Sequence, residues 1–306
     1  MKINDINEFY KLFNKDYLYS SKFLDNTLLN IRLKVTEKGF KDILLKLKPF
    51  KKFWFRKNML SPFLIGYSKF DFAKDIMENE DNYRKLYDML EDETSKKTLL
   101  AVMCYKVTQN DDFIKEVERF PIDQYFDPEI VNFNPEGEVF ADCGGYTGDT
   151  ALVFQRLKLP LKKYYFIEPD PANTAKAKNT LKEFKNIVFC SCATGKAKSE
   201  ATFDDSGEGG CVNKTGSLKI NIEPLDDLIK EPITFIKMDV EGSESDTIEG
   251  AKNQIINHKP KLAVCAYHKP DDAWKLAFQI KELRPDYKLY FRVYQSSYCE
   301  AVIYAL

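Results

Sequence analysis

The stretch Val139-Phe-Ala-Asp-Cys-Gly-Gly-Tyr-Thr-Gly-Asp-Thr150 decides the fold. A short apolar run of strand formers stops at an acid and a cluster of glycines, then resumes as a helix-like segment from Thr150 to Leu157. This is a strand-loop-helix unit. Asp142, Gly144 and Gly148 spell D-x-G-x-x-x-G, with an acid where a dinucleotide fold places its first glycine. A phosphate binder wants bare backbone N–H groups at a helix N-terminus, whereas a carboxylate at a strand tip suits a ligand carrying an ammonium group. Glycines at the turn let that ligand lie against the backbone. S-adenosylmethionine has the ammonium group, a carboxylate and a ribose, and no phosphate.

The second element lies 24 residues past Gly144, where Tyr164-Tyr-Phe-Ile runs into Glu168-Pro-Asp-Pro171. An acid at the tip of a second strand accepts hydrogen bonds from ribose hydroxyls. Asp170 as cap and Pro171 at the first helical position predict the start of the next helix. Strands alternating with helices at this pace predict a parallel sheet with crossover helices, whose ligand crevice lies at the carboxyl ends of the strands.

Composition narrows the class. The 306 residues suffice for one large domain or a domain with an appendage, and 44% hydrophobic with 30% charged residues is the balance of a water-soluble globular chain. A net charge of -1 gives no electrostatic reason to expect a nucleic acid partner. Met1 to Phe13 shows no long apolar segment and no cleavage-like site, so the expectation is a cytoplasmic protein without signal peptide or membrane span. The seven cysteines form no C-x-x-C pair and there are two histidines, which argues against a zinc site and a disulfide framework.

Residues 1–118 read as a helical N-terminal subdomain and 119–306 as the ligand-binding domain. Leu24, Leu28 and Ile31, then Phe40, Ile43, Leu44 and Leu47, then Tyr83, Leu86, Tyr87 and Leu90 repeat at helical spacing. A helix pair is expected over Asp71 to Leu90 and Ser95 to Val107, capped at Thr94 and Ser95. Arg32 to Lys57 holds ten basic residues against Glu37 and Asp42, interleaved with aromatics. It reads as a solvated lysine face over a small core, with contact to an anionic membrane surface as the alternative. Phe120 to Phe133 is aromatic and proline-bearing; it reads as a linker whose aromatics plug a junction, or as a flap whose Tyr125 touches the ligand.

Downstream, Asn186 to Cys192 is expected as a third strand and Ala193-Thr-Gly195 as the loop where an adenine rests. Phe203 to Cys211 reads as a hairpin or mobile loop. The fourth strand, Ile233 to Val240, puts Phe235, Lys237 and Asp239 on one face. A lysine inside an apolar strand needs a partner, and Asp239, Asp142 and Glu241 are the candidates. Ser243 and Asp246 form a capping-box-like start to the next helix. Lys261 to Tyr267 is a fifth strand ending in His268, whose ordinary pKa of roughly 6.5 suits a general base. His258 reads as a helix-end residue. Tyr287 to Tyr294 and Glu300 to Ala305 are expected as an antiparallel pair at the sheet edge, with Arg292 anchoring an acidic group.

Together, Phe140-Ala-Asp-Cys-Gly-Gly-Tyr-Thr-Gly-Asp-Thr150, Ile167-Glu-Pro-Asp170, Phe235-Ile-Lys-Met-Asp-Val-Glu-Gly-Ser-Glu244, Ala266-Tyr-His-Lys269 and Glu300-Ala-Val-Ile-Tyr-Ala305 resemble the FkbM family of S-adenosylmethionine-dependent methyltransferases over about residues 120 to 306. The resemblance implies an α/β, Rossmann-like class I methyltransferase sheet of seven strands, the last antiparallel, and O-methyl transfer to a hydroxyl of a sugar, glycan precursor or secondary metabolite. It implies cofactor contacts at Asp142, Gly144, Gly145, Tyr146, Gly148 and Glu168, with Asp170 beside them, and an active site at Asp239, Glu241 and His268. One position departs: Arg292-Val-Tyr294 stands where relatives carry Arg-His-Tyr. The chemistry then asks for His268 as base with Asp239 orienting it or holding the substrate hydroxyl, or for Asp239, Glu241 and Glu244 to hold a divalent cation that lowers the hydroxyl pKa.

Two other classes use the same features. An NAD-dependent oxidoreductase shares the second-strand acid but wants G-x-G-x-x-G at the first loop, which Asp142-Cys-Gly144 does not supply. A non-catalytic cofactor-binding assembly protein would use the helical part as its interface. The expected partner is a small-molecule or glycan acceptor; the helical part is large enough to serve as a homodimer interface, and the sequence leaves the oligomeric state open.

Overall fold

A computed structural model describes residues 3–13, 62–64, 67–203, 212–213, 218–294 and 300–306. The repeats expected at Leu24 to Leu47, the basic run at 32–57 and most of the polar loop from Phe203 to Cys211 lie outside these residues. The described chain divides into two compact units, one of 1–119, 269–274 and 291–301 and one of 120–268, 275–290 and 302–306.

The first unit contains helices α1 (Ile6–Leu12), α2 (Lys69–Glu78), α3 (Glu80–Met89) and α4 (Glu93–Thr108). The single helix expected over Asp71 to Leu90 breaks at Asn79, whose amide instead donates to the Asp75 carboxylate at 2.8 Å. The cap of α4 is Asp92, not Thr94 or Ser95. Its carboxylate accepts the Ser95 N–H at 2.7 Å, and the same carboxylate takes Arg292 at 2.6 Å, so one acid serves a helix end and a buried guanidinium. That pair, with Trp274 donating to Asp75 at 3.3 Å, explains why the late segments 269–274 and 291–301 group with the N-terminal helices. The N-terminal run of the first unit ends at Arg119, and 269–274 and 291–301, expected in the ligand-binding domain, group with that unit.

The second unit holds a seven-stranded sheet except for residues 291–293 and 301, which group with the first. In chain order its strands are β1 (Glu138–Cys143), β2 (Leu161–Ile167), β3 (Ile187–Cys190), β4 (Phe235–Met238), β5 (Lys261–Cys265), β6 (Leu289–Val293) and β7 (Ala301–Ala305). They lie in the order β3-β2-β1-β4-β5-β7-β6. The first five pair in parallel and β7 runs antiparallel to β5. Helices α5 (Asp149–Arg156) and α6 (Pro171–Thr180) are the crossovers after β1 and β2, and α7 (Glu244–Gly250) follows β4. This is the α/β sheet of seven strands, the last antiparallel, that the sequence leads one to expect. The strand order reverses between β1 and β4, where the carboxyl-end crevice of an open α/β sheet opens.

Every residue of β1 is buried, as a central parallel strand requires. Phe140 stacks on Phe235 of β4 with centroids 4.8 Å apart, and Phe126 meets Phe140 and Phe154 edge-on. Tyr125, Phe126 and Val131 of the aromatic segment 120–133 are therefore part of this core, while Phe120 is exposed. Ala193–Thr194, expected as a loop, forms a short strand of a separate four-stranded sheet, paired with Leu218–Glu223. Backbone pairing wins there because Leu218–Glu223 offers it an edge.

Gly144 closes the turn after β1 with φ +81°, and a Cβ there would stand 1.8 Å from the Asp239 carbonyl oxygen. The glycine is demanded by the approach of two strand tips, not only by room for a ligand. Gly144→Ala is expected to destabilise the protein by about 2–4 kcal/mol and lower Tm by about 5 °C or more in thermal denaturation; an unchanged Tm contradicts this packing.

Candidate active site

At the tips of β1 and β4 the register sets Lys237 beside Asp142. Both side chains are buried, and the ammonium lies 3.1 Å from Asp142 Oδ1 while donating to the Gly144 carbonyl at 2.5 Å. Tyr164 of β2 donates to Asp142 Oδ2 at 2.6 Å. Burial alone lowers the pKa of Lys237, but Asp142, Asp239 and Asp149 outweigh it and hold the ammonium charged. Burial pushes the Asp142 carboxyl up, against Lys237 and Tyr164. Of the three acids considered for Lys237, Asp142 takes it. Its carboxylate therefore bears on the crevice through Lys237 and the glycine turn.

Tyr146 follows in the left-handed region, φ +46°, and its N–H donates to Glu168 Oε2 at 2.9 Å. Glu168 Oε1 accepts the Asp170 N–H at 2.9 Å. Each oxygen of this buried carboxylate is thus fixed by one backbone donor and keeps a further lone pair. Burial raises its pKa, and the two N–H groups pull it back. Asp170 caps α6 through Ala172 N–H at 2.7 Å, so its carboxylate serves the helix. Gly148, φ +90°, precedes α5 as its N-cap, and Gly145 packs where a Cβ would strike the Phe166 ring. Asp142, Gly144, Gly145, Tyr146, Gly148 and Glu168 therefore all belong to the adjoining tips of β1 and β2.

The second half of the site lies at the tips of β4 and β5. Asp239 accepts the Tyr125 hydroxyl at 2.9 Å on Oδ2, and the Tyr267 hydroxyl lies 3.4 Å from Oδ1. Burial raises its pKa, yet Lys237, His268 and Tyr125 together hold it below the usual carboxylate range. Glu241 adopts φ +51°, an uncommon conformation for a residue with a Cβ, and its carboxylate is 30% exposed. Burial and the neighbouring acids Asp239 and Glu244 push it to about 7, against His268. Glu244 is fully buried, and its Oε1 accepts the Val240 N–H at 3.0 Å and the Gly242 N–H at 3.3 Å. The expected capping box from Ser243 to Asp246 does not form, and Ser243 makes no side-chain cap bond. The acid one residue further on ties back the turn instead.

His268 lies among these acids, 1% exposed. Its Nδ1 is 2.9 Å from Glu244 Oε1, and its Nε2 is 3.5 Å from both Asp239 Oδ1 and Glu241 Oε2. Burial would lower its pKa, but Glu244, Asp239 and Glu241 raise it to about 10. At neutral pH the ring is an imidazolium. This departs from the ordinary value on which the base assignment stood, because strand spacing does not reveal how many acids gather at one tip. Tyr164 and Tyr267 are residues that the sequence left out of the site, and Tyr125 stood there only in one of two readings of its segment. Tyr125 had a signal in its aromatic segment and Tyr267 in its place before His268; Tyr164 looked like an ordinary strand aromatic.

Residues 142–291 match the family model of the methyltransferase FkbM domain. Among solved structures, the chain is similar to the methyltransferase FkbM from Methylobacillus flagellatus KT, at 28% identity and TM-score 0.70, over 79% of this chain and 63% of that one. The chain thus spans less than two thirds of that relative. Weaker likenesses are to Aeropyrum pernix fibrillarin with natively bound S-adenosyl-L-methionine, at 14% identity and TM-score 0.37 over 56% of this chain and 67% of that one, and to a Streptococcus mutans methyltransferase in complex with SAH, at 14% and 0.36 over 58% and 92%. No curated protein matches the chain. Among the described residues no helix is long and apolar enough to cross a membrane.

A histidine whose folded pKa is raised contributes stability that is complete below its unfolded value of roughly 6.5 and is lost as pH rises through about 10. In metal-free protein the His268 ring resonance, assigned by its loss in His268→Ala, is expected to show no midpoint near pH 6.5; a midpoint there removes the three-acid environment.

Proposed function

With residues 142–291 forming a methyltransferase FkbM domain, we propose that the chain is an S-adenosylmethionine-dependent O-methyltransferase acting on a hydroxyl of a sugar, glycan precursor or secondary metabolite. The observation that carries this reading is Glu168, a buried carboxylate at the tip of β2 beside the glycine turn. Its two oxygens, each fixed by one N–H and each with a lone pair to spare, suit the paired hydroxyls of a ribose. The glycine turn from Gly144 to Gly148 presents backbone to the same crevice. When bound, the cofactor supplies a methyl group on a sulfonium.

The residues at the tips of β4 and β5 hold the acceptor and receive its proton. Asp239, fixed by Tyr125, is a carboxylate suited to accept a hydrogen bond from the acceptor and position its oxygen. Glu241 has the most exposed side chain of Asp239, Glu241 and Glu244 and takes the hydroxyl proton as the new O–C bond forms and the C–S bond breaks. The His268 imidazolium keeps the crowded acids compatible and orients Glu241. We extend the reading to the partners: the acceptor is a small molecule or glycan, the helical unit is the place for a homodimer contact, and the enzyme works in the cytoplasm.

Calorimetry with S-adenosylhomocysteine tests the cofactor half. Wild type is expected to bind in the micromolar range and Glu168→Ala to lose at least about tenfold. Glu241→Gln is expected to keep that affinity and lose about a hundredfold or more in turnover of hydroxylated acceptors, followed by methyl transfer from labelled cofactor. Absence of binding in wild type, or full turnover in Glu241→Gln, overturns the respective half.

A further inference from the structure

Charge at the tips of β4 and β5 does not balance. Lys237 is paired with Asp142 and reaches Asp239 only through its field, so the one cation within contact distance of Asp239, Glu241 and Glu244 among the described residues is the imidazole of His268. Among the described residues, Asp239, Glu244 and His268 each offer a ligand atom, and these atoms all lie within 4.8 Å of one another. Acids alone gather on many surfaces without a ligand. Here the imidazole is an independent sign. It is 1% exposed, and its Nε2, between Asp239 and Glu241, makes no hydrogen bond among the described residues. Glu244 Oε2, in a fully buried side chain, likewise has no hydrogen-bond partner among them. Buried polar atoms are ordinarily satisfied, so two such atoms in one cluster point to a missing partner.

We propose that Asp239, Glu244 and His268 form a binding site for a hard divalent cation of the Mg²⁺ or Mn²⁺ type, with Glu241 at its open side. The donor set selects the ion class. Carboxylate oxygens suit Mg²⁺ and Mn²⁺, one imidazole is compatible with Mn²⁺, and no thiolate among them favours a soft ion. Cys265 is directed to the Tyr125 hydroxyl, 3.6 Å away. Binding exchanges the imidazole proton for the ion, which then takes over from the imidazolium of the ion-free protein in balancing the acids, and gives Glu244 Oε2 a partner. In the enzyme proposed above, the ion lowers the pKa of the acceptor hydroxyl before Glu241 removes the proton. That consequence rests on the methyltransfer reading; the site does not.

Full-length protein, stripped with chelator and titrated with Mn²⁺ under electron paramagnetic resonance and calorimetry, tests the site. One equivalent is expected to bind with Kd at or below about 100 µM. Asp239→Asn and Glu244→Gln are each expected to weaken it by about tenfold or more. Thermal melts of the ion-free proteins verify folding, and Asp239→Asn serves if Glu244→Gln disturbs the turn. Absence of Mn²⁺ binding to wild type at about 10 mM overturns the proposal, as does affinity unchanged in a folded Asp239→Asn. S-adenosylhomocysteine titrated into the same samples separates the two readings, since Mn²⁺ binding without it retains the ion site and rejects only the methyltransferase reading.

Discussion

The contact between Lys237 and Asp142, one register step across β4 and β1, is the constraint on which the site depends. An ammonium in the middle of a buried sheet is costly unless it is paired and its remaining protons are used. Asp142 provides the pair and the Gly144 carbonyl a further acceptor, so the ion pair and the turn are one unit. Tyr164 secures the far oxygen of Asp142 from β2. Three adjacent strands are thereby tied at their carboxyl ends, where the sheet order reverses.

Charge that is balanced at one point is left unbalanced at the next. Lys237 is committed to Asp142, so Asp239, Glu241 and Glu244 must be accommodated by His268, by hydroxyls and by backbone N–H groups. Tyr125 holds Asp239 and the turn N–H groups hold Glu244, while Glu241 is left with an uncommon backbone angle and partial exposure. Strain and perturbed carboxylates gathered at one strand tip are what a reactive site looks like in physical terms.

Much of this was legible in the chain. The acid-glycine turn, the second-strand acid and the strand-helix alternation led to the sheet, because each rests on local rules of backbone and capping. Pro171 and Asp170 behaved as their residue types dictate. What escaped was set by contacts distant in sequence. Asp92 outcompeted Ser95 as a cap because Arg292, two hundred residues on, shares its carboxylate. Ala193–Thr194 became a strand because a partner strand comes later in the chain. The sequence grouped Asp239 and Glu241 with His268 but not the buried Glu244 against its ring, and an imidazole read at its ordinary pKa appeared to be a base.

The ion pair is tested most directly by urea denaturation of Lys237→Met, Asp142→Asn and the double variant. Each single change should cost about 3–5 kcal/mol by leaving its partner unpaired in the sheet. The double change should fall short of their sum by about 2 kcal/mol or more. Costs that add to within about 0.5 kcal/mol would contradict the account, because Lys237 and Asp142 would then not be acting on one another.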